Sequence, residues 1–417
     1  MRQIFTLFFC IVFLNNVSAL NPNKPLVQYN LEQLQALKKQ IDSKTASSEV
    51  LKQYRKLLKK ADKLLDKDNP TVINKEILPP TKDKNDYLSI SRYWWPDESK
   101  KKGLPWIRKD GDTNPDTQTD AVDRKRLGRF ANYMNTLGLA YFFSKDDKYA
   151  KKAASMAKTW FINERTKMNP HLKFSQSVPG NPKSRRSGIL DGRDIPVMVL
   201  DGITMIQTSK YWDNEDQLIL DQWFRDYMVW LAYSPTGKKG ATQENNHGSW
   251  YYYQIAALSY YNQDVTLIKK TIQKIKEMFD SQLNEEGGQI HELKRTRSFF
   301  YSCFNLDAIT RIAIVAEKAG IPFWNYKSED NEKGIEKALD FLIPVVNGAK
   351  WEYPTKKKDT YINLASVLMR LRGKIEKPEY TEALQKIVDE VSAIPERNSK
   401  QKKIFRDYNF ANQGLFK

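Results

Sequence analysis

The sequence predicts an all-α fold, an (α/α) toroid (an incomplete barrel) built of antiparallel helix pairs. Three observations predict it. Apolar residues recur at helical spacing through most of the 417-residue chain. Short polar stretches separate successive apolar stripes, as antiparallel helix hairpins require. No internal sequence repeat is visible, which argues against an open solenoid, whose stacked units usually resemble one another. A closed ring would gather its longer connections around one mouth.

Taken in order, Leu31 to Ile41 and Ser47 to Asp66 carry apolar residues on one face and charges on the other. Residues 68–118 break that habit, being rich in Pro, Asp, Gly and Trp. Irregular segments of such length are usually functional or disordered, and Tyr93, Trp94, Trp95 and Trp106 argue against disorder. Periodicity resumes with Leu127, Phe130, Met134, Leu137 and Tyr141, then turns at Lys145-Asp146-Asp147. The returning stripe is Tyr149, Ala153, Met156 and Trp160. Further pairs are Ile195 to Gln207 with Asp216 to Leu231, and Trp250 to Tyr261 with Val265 to Leu283. Arg297 to Ala319, Lys333 to Val346, Tyr361 to Leu371 and Tyr380 to Ile394 complete the series.

The first nineteen residues read as an address. Arg2 gives a basic start, Ile4 to Leu14 an apolar run, and Val17-Ser18-Ala19 a cleavage pattern. Cys10 lies inside the run instead of at its end, unlike a lipoprotein anchor. Residues 20–417 are then expected to form one exported catalytic domain, periplasmic or secreted and monomeric. No later stretch reads as a membrane span, so no membrane insertion is expected. Cys303 alone survives cleavage, so a large aromatic core must supply the stability that disulfides cannot.

The formal charge of +18 suits a polyanionic partner. Export and the lack of any zinc-finger, RNP or helix-turn-helix pattern argue against nucleic acid. An acidic polysaccharide fits both charge and compartment. No Gly-x-Ser-x-Gly elbow, phosphate-binding glycine loop or metal-ligand spacing is present, so neither cofactor nor metal is expected.

Only His171, His247 and His291 could serve as imidazoles. Gln243-Glu244-Asn245-Asn246-His247-Gly248-Ser249-Trp250 follows the Gly/Lys-rich stretch Pro235 to Gly240, expected to be a loop, and opens an aromatic helix. Helix N-termini favour anions, although two asparagines there could equally be caps. A second segment, His291 to Tyr301, opens another helix. Arg295 and Tyr301 are six apart, so they converge only if Arg295 lies ahead of the helix and bends back. Such side chains suit β-elimination from a 4-linked uronate. Asn, His and Arg can hold the C6 carboxylate as charge develops. Tyr301 could serve as both base and acid on one face (syn), or His247 as base with Tyr301 as acid (anti). A two-carboxylate hydrolase drawing on Asp191, Asp194, Glu244 or Glu292 is an alternative. So is a binding protein stacking sugars on Trp94, Trp95 and Trp106.

Four ordered motifs carry a family resemblance across residues 80–350. They are Asp86-Tyr87-Leu88-Ser89 with Tyr93-Trp94-Trp95-Pro96-Asp97, Asn169 to Gln176 running into Pro179-Gly180, Asn245 to Trp250, and Glu292 through Arg295-Thr296 to Tyr301. Together they resemble the alginate-lyase domain family of polysaccharide lyases, nearer to family 38 than to family 5. The resemblance implies a toroid fold and metal-independent elimination from alginate, with glucuronan the alternative polymer. It implies Asn246, His247, Arg295 and Tyr301 as catalytic residues, Arg297 being the nearest competitor of Arg295. It places Gln176, Tyr93 and Trp94 along the substrate groove. Arg185, Arg186 and Arg193 are expected subsite cations, and Trp250 a further substrate contact.

Overall fold

A computed structural model of the chain describes residues 24–181, 188–329, 332–355 and 362–393. The expected leader, Arg185, Arg186, Tyr361 and Ile394 lie outside those residues.

The chain opens with α1 (Leu31–Asp42) and α2 (Ser48–Leu65), capped by Asn30 and Ser47, whose side-chain oxygens accept the backbone N–H groups of Gln33 and Val50. Ahead of them, the backbone N–H groups of Val27, Gln28 and Tyr29 donate to the buried Asp201 carboxylate and fasten the start of the chain. The irregular stretch holds only short elements: 3-10 turns at Val72–Asn74 and Pro115–Gln118, and the strands β1 (Leu88–Ile90), β2 (Trp94–Trp95) and β3 (Ile107–Arg108). β2 and β3 form an antiparallel hairpin that pairs Trp94 with Arg108 and Trp95 with Ile107.

Helices α3 (Arg124–Ser144) and α4 (Asp147–Phe161) follow, joined at Lys145 in the left-handed region. β4 (Phe174–Ser177) then runs parallel to β1. The helix expected over Ile195 to Gln207 is divided. A π-helical turn spans Ile195–Val199, and α5 covers Leu200–Ile206. Pro196, which has no N–H to donate, sits inside the irregular turn. α3 and α5 touch backbone to backbone at two glycines. A Cβ on Gly138 would stand 2.7 Å from the Gly202 carbonyl oxygen, and one on Gly202 would stand 2.7 Å from that of Met134.

α6 (Asn214–Tyr233) begins with a reciprocal capping box between Asp213 and Asp216. Pro235 to Gly240, expected as a loop, is instead a short helix, α7 (Pro235–Ala241). Ser234 caps it and Pro235 occupies its first turn, where a missing N–H costs nothing. α8 (Asn246–Tyr261), α9 (Val265–Gln282) and α10 (Ser298–Lys318) come next. The single helix expected over Lys333 to Val346 is two, α11 (Ile335–Asp340) and α12 (Ile343–Val346), with Pro344 in the first turn of the second. α13 (Ile362–Leu371) and α14 (Pro378–Ala393) end the described chain.

Burial sorts these helices into rings. Every residue of α8 except Tyr260 is buried, so it has no solvent face. α9 buries one stripe, including Leu267, Ile268, Ile272, Ile275 and Phe279, and shields α8 from outside. α3, α5, α8, α10 and α13 form the inner layer, and α2, α4, α6, α9 and α14 pack around it. The arrangement is the (α/α) toroid, with its main core running from Val27 to Ile387. The expectation that no segment beyond the leader is apolar enough to cross a bilayer needs one correction. α10 passes on length and composition, but 78% of its most apolar window is buried in this core.

Candidate active site

The neighbouring asparagines at the start of α8 do different jobs. Asn245 is the cap, its Oδ1 accepting the His247 backbone N–H at 2.9 Å. Asn246 and His247 occupy the first helical turn and are buried, 1% and 6% exposed. The Asn246 side chain turns to Glu292, its Nδ2 lying 2.9 Å from each carboxylate oxygen. Its Oδ1 accepts no hydrogen bond from the described residues.

The turn before α10 brings in the second set. Arg295 lies ahead of the helix, which starts only at Ser298, and its guanidinium bends back to 3.6 Å from the centre of the Tyr301 ring. The six-residue spacing is thereby bridged. The Nε and Nη2 of Arg295 donate to Asp110 at 3.2 and 2.9 Å, and Thr296 Oγ1 donates to the same carboxylate at 3.0 Å. Burial raises the Asp110 pKa, but the Arg295 hydrogen bond and charge, with Arg108 behind, outweigh it and hold the carboxyl well below the usual range. Tyr301 donates its phenol proton to Tyr93 Oη at 2.8 Å. Burial, then the neighbouring Tyr93, pushes the Tyr301 pKa far up against the opposing Arg295 charge.

Gln176 owes its position to a bulge. β4 spends one residue more than β1 between the pairs Leu88–Phe174 and Ile90–Ser177, and Gln176 takes φ 49°. Its backbone N–H donates to Ser89 Oγ at 2.8 Å, and its Nε2 donates to Asp191 Oδ1 at 3.3 Å. Asp191 also accepts from Tyr87 and Ser89. Arg124 ties Asp191 to Asp194, donating to Asp194 Oδ2 at 2.7 Å. Arg193 lies over the contacting rings of Trp250 and Phe304, 5.7 and 5.4 Å from their centres.

Many of these side chains face one cleft of about 850 Å³ of space unoccupied by atoms, the open solvent at its mouth included. Asn246, His247, Arg295, Tyr301, Gln176, Tyr93, Trp94 and Arg193 all line it. Trp250 does not. It is 1% exposed and packs beneath Phe304, so its expected sugar contact is corrected to a supporting role. The family-motif residue His171 sits outside the cleft lining, paired with Asp86 at 3.1 Å. Arg92, Arg108 and Arg124 were not foreseen and add positive charge to the wall. Arg92 could have been suspected beside Tyr93-Trp94; Arg124 has no local signal. Of the four carboxylates considered for hydrolysis, Asp191 alone belongs to the lining, while Glu244 is exposed and near His291.

The family profile described as alginate lyase matches residues 71–351. A crystal structure of an alginate lyase from Bacteroides ovatus is 32% identical, with a TM-score of 0.83 over 92% of this chain and 99% of that one. Alginate lyase A1-III from Sphingomonas species A1 shares the fold at 16% identity, with a TM-score of 0.55 over 83% of this chain and 88% of that one. A histidine-to-alanine variant of A1-III complexed with a tetrasaccharide aligns at 14% identity, with a TM-score of 0.54 over the same shares of the two chains. No curated protein matches the chain.

Proposed function

Because the chain belongs to the alginate lyase family, and is therefore a polysaccharide lyase acting on uronate polymers, we propose that it cleaves polymannuronate by metal-independent β-elimination. The observation that carries this reading is the convergence of Asn246, His247, Arg295 and Tyr301 on one cationic cleft. The residues belong to three structural pieces, so their meeting is a property of the fold. The four ordered motifs between residues 80 and 350 support placing the chain nearer to family 38 than to family 5. The leader-like residues 1–19 support export to the periplasm or beyond, with residues 20–417 as one catalytic domain.

In the proposed reaction, Asn246 and Arg295 hold the C6 carboxylate as the C5 proton leaves and an enediolate forms. The C4–C5 double bond then forms and the C4–O4 bond breaks. Tyr301 protonates the departing O4. The Tyr301 phenol keeps its proton at neutral pH and so has one to give, though burial makes it a weaker acid than an ordinary tyrosine. By the same token it is a poor resting base, which favours His247 as acceptor of the C5 proton.

The test is an ultraviolet absorbance screen for unsaturated uronate ends on polymannuronate, polyguluronate, glucuronan and a glycosaminoglycan, with and without chelator. Absorbance rising fastest on polymannuronate, and unchanged by chelator, is expected. A faster rise on glucuronan would replace the substrate. Saturated ends would end the elimination mechanism.

A further inference from the structure

Asn246 is held in an orientation that poorly suits an anion. Its backbone N–H donates to Glu292 Oε1 at 2.7 Å, and its Nδ2 is drawn to both carboxylate oxygens. The Oδ1 of this 1%-exposed side chain has no donor among the described residues, although the residue forms part of the cleft wall. A buried carbonyl oxygen left unpaired is costly, and near a carboxylate it is repulsive as well. Glu292 is itself 1% exposed. A second negative charge brought beside it would be harder still to bury.

We infer that Glu292 positions Asn246 for the uronate carboxylate, and does so as the neutral acid, taking a proton from solvent when an anionic sugar enters. The inference rests on the lyase reading. As a carboxylate, Glu292 only accepts, so it captures the amide nitrogen. As an acid, its O–H donates to Asn246 Oδ1 while its other oxygen accepts one Nδ2 hydrogen. A turn of the amide about Cβ–Cγ achieves this and leaves the second N–H for the substrate. The orphaned oxygen gains a donor in the same step. The backbone N–H of Asn246 keeps its acceptor throughout.

The surroundings suit a proton held there. Burial pushes the Glu292 pKa up, against the Asn246 hydrogen bonds and the Arg295 charge. Arg295, on the same turn, is the cation facing it, and Asp110 shares that cation. From α8 come Asn246 and, next in sequence, His247. Tyr301, from α10, stacks on Arg295. Glu292 touches no reacting atom in this scheme, so it is a positioning residue.

Glu292→Gln imitates the protonated form, since its amide can donate to Oδ1 and accept from Nδ2. Glu292→Ala removes both contacts. On whichever polymer wild type converts to unsaturated ends, Glu292→Ala should lose roughly ten- to a hundredfold in kcat, while Glu292→Gln stays within about threefold. Calorimetric binding of oligomers of that polymer to Tyr301→Phe, in two buffers of different ionisation enthalpy, should show up to about one proton taken up per site. Tyr301→Phe/Glu292→Gln should take up clearly less. Equal uptake in the two overturns the inference. So does a Glu292→Gln loss as deep as that of Glu292→Ala when Glu292→Gln melts at the wild-type temperature. Wild type forming no unsaturated ends on any polymer is a separate failure, of the lyase reading, and takes this inference with it.

Discussion

Tyr301 joins two environments, the stacked Arg295 guanidinium on its ring and Tyr93 at its hydroxyl. Replacing it by phenylalanine keeps the ring and its stacking but removes the proton for O4. Tyr301→Phe should lose roughly a hundred- to ten-thousandfold in kcat, read from the absorbance rate, with little change in melting temperature. Asp110 acts one step further out by gripping Arg295, and Asp110→Asn should lower kcat/KM by roughly ten- to a hundredfold. Its depressed pKa fixes the sign of the pH effect. The ion pair contributes fully above the ordinary carboxylate range and fails only as pH falls well below it. Asp86 behaves alike. Burial raises its pKa, but hydrogen bonds from His171, Asn169 and Thr81 bring it down to about 2. Its contribution is complete above about pH 4 and lost on acidification through about 2. Asp86→Asn should therefore reduce the acid dependence of the melting temperature in that window. Much of the site was legible from Asn245 to Trp250 and Glu292 to Tyr301, because those motifs are local. The Asp110–Arg295 clamp joins residues 185 apart and the Tyr93–Tyr301 bond residues 208 apart, and no periodicity signals such pairs.

Outer helices such as α2 and α9 bury one stripe, and that contrast made them readable from sequence. The inner helices offer less contrast. α8 is buried on nearly every face, so its sequence proclaims burial more loudly than period. The π-turn at Ile195–Val199 and the break between α11 and α12 fall where proline interrupts an apolar run that looks continuous. The short helix α7 was hidden by its glycines: Gly237 and Gly240 suggested a loop, but both are buried in it. The α3–α5 contact makes a sharper demand. Gly138→Ala would drive a methyl into the opposing backbone, a change that no rotamer relieves. A loss of about 1–3 kcal/mol is expected, measured by thermal or urea unfolding, with kcat nearly preserved in the folded fraction.

At the scale of the whole molecule, the charge of +18 and the arginines of the cleft act on an anionic uronate polymer. Salt should therefore raise KM steeply and change kcat little, because screening weakens capture and not the buried contacts. Equal KM at low and high ionic strength would dismiss that role for the charge. The burial of α8 has a different consequence. Asn246 and His247 sit on its first turn, anchored in what should be the most exchange-protected part of the protein, whose amides open only with global unfolding. Tyr93 and Asp110 belong to a stretch of short strands and turns, which can open locally at far lower cost. Half of the site is then as durable as the protein, and half only as durable as a loop. On slow heating, catalysis should fade several degrees before the helices melt, and the fading should reverse on cooling.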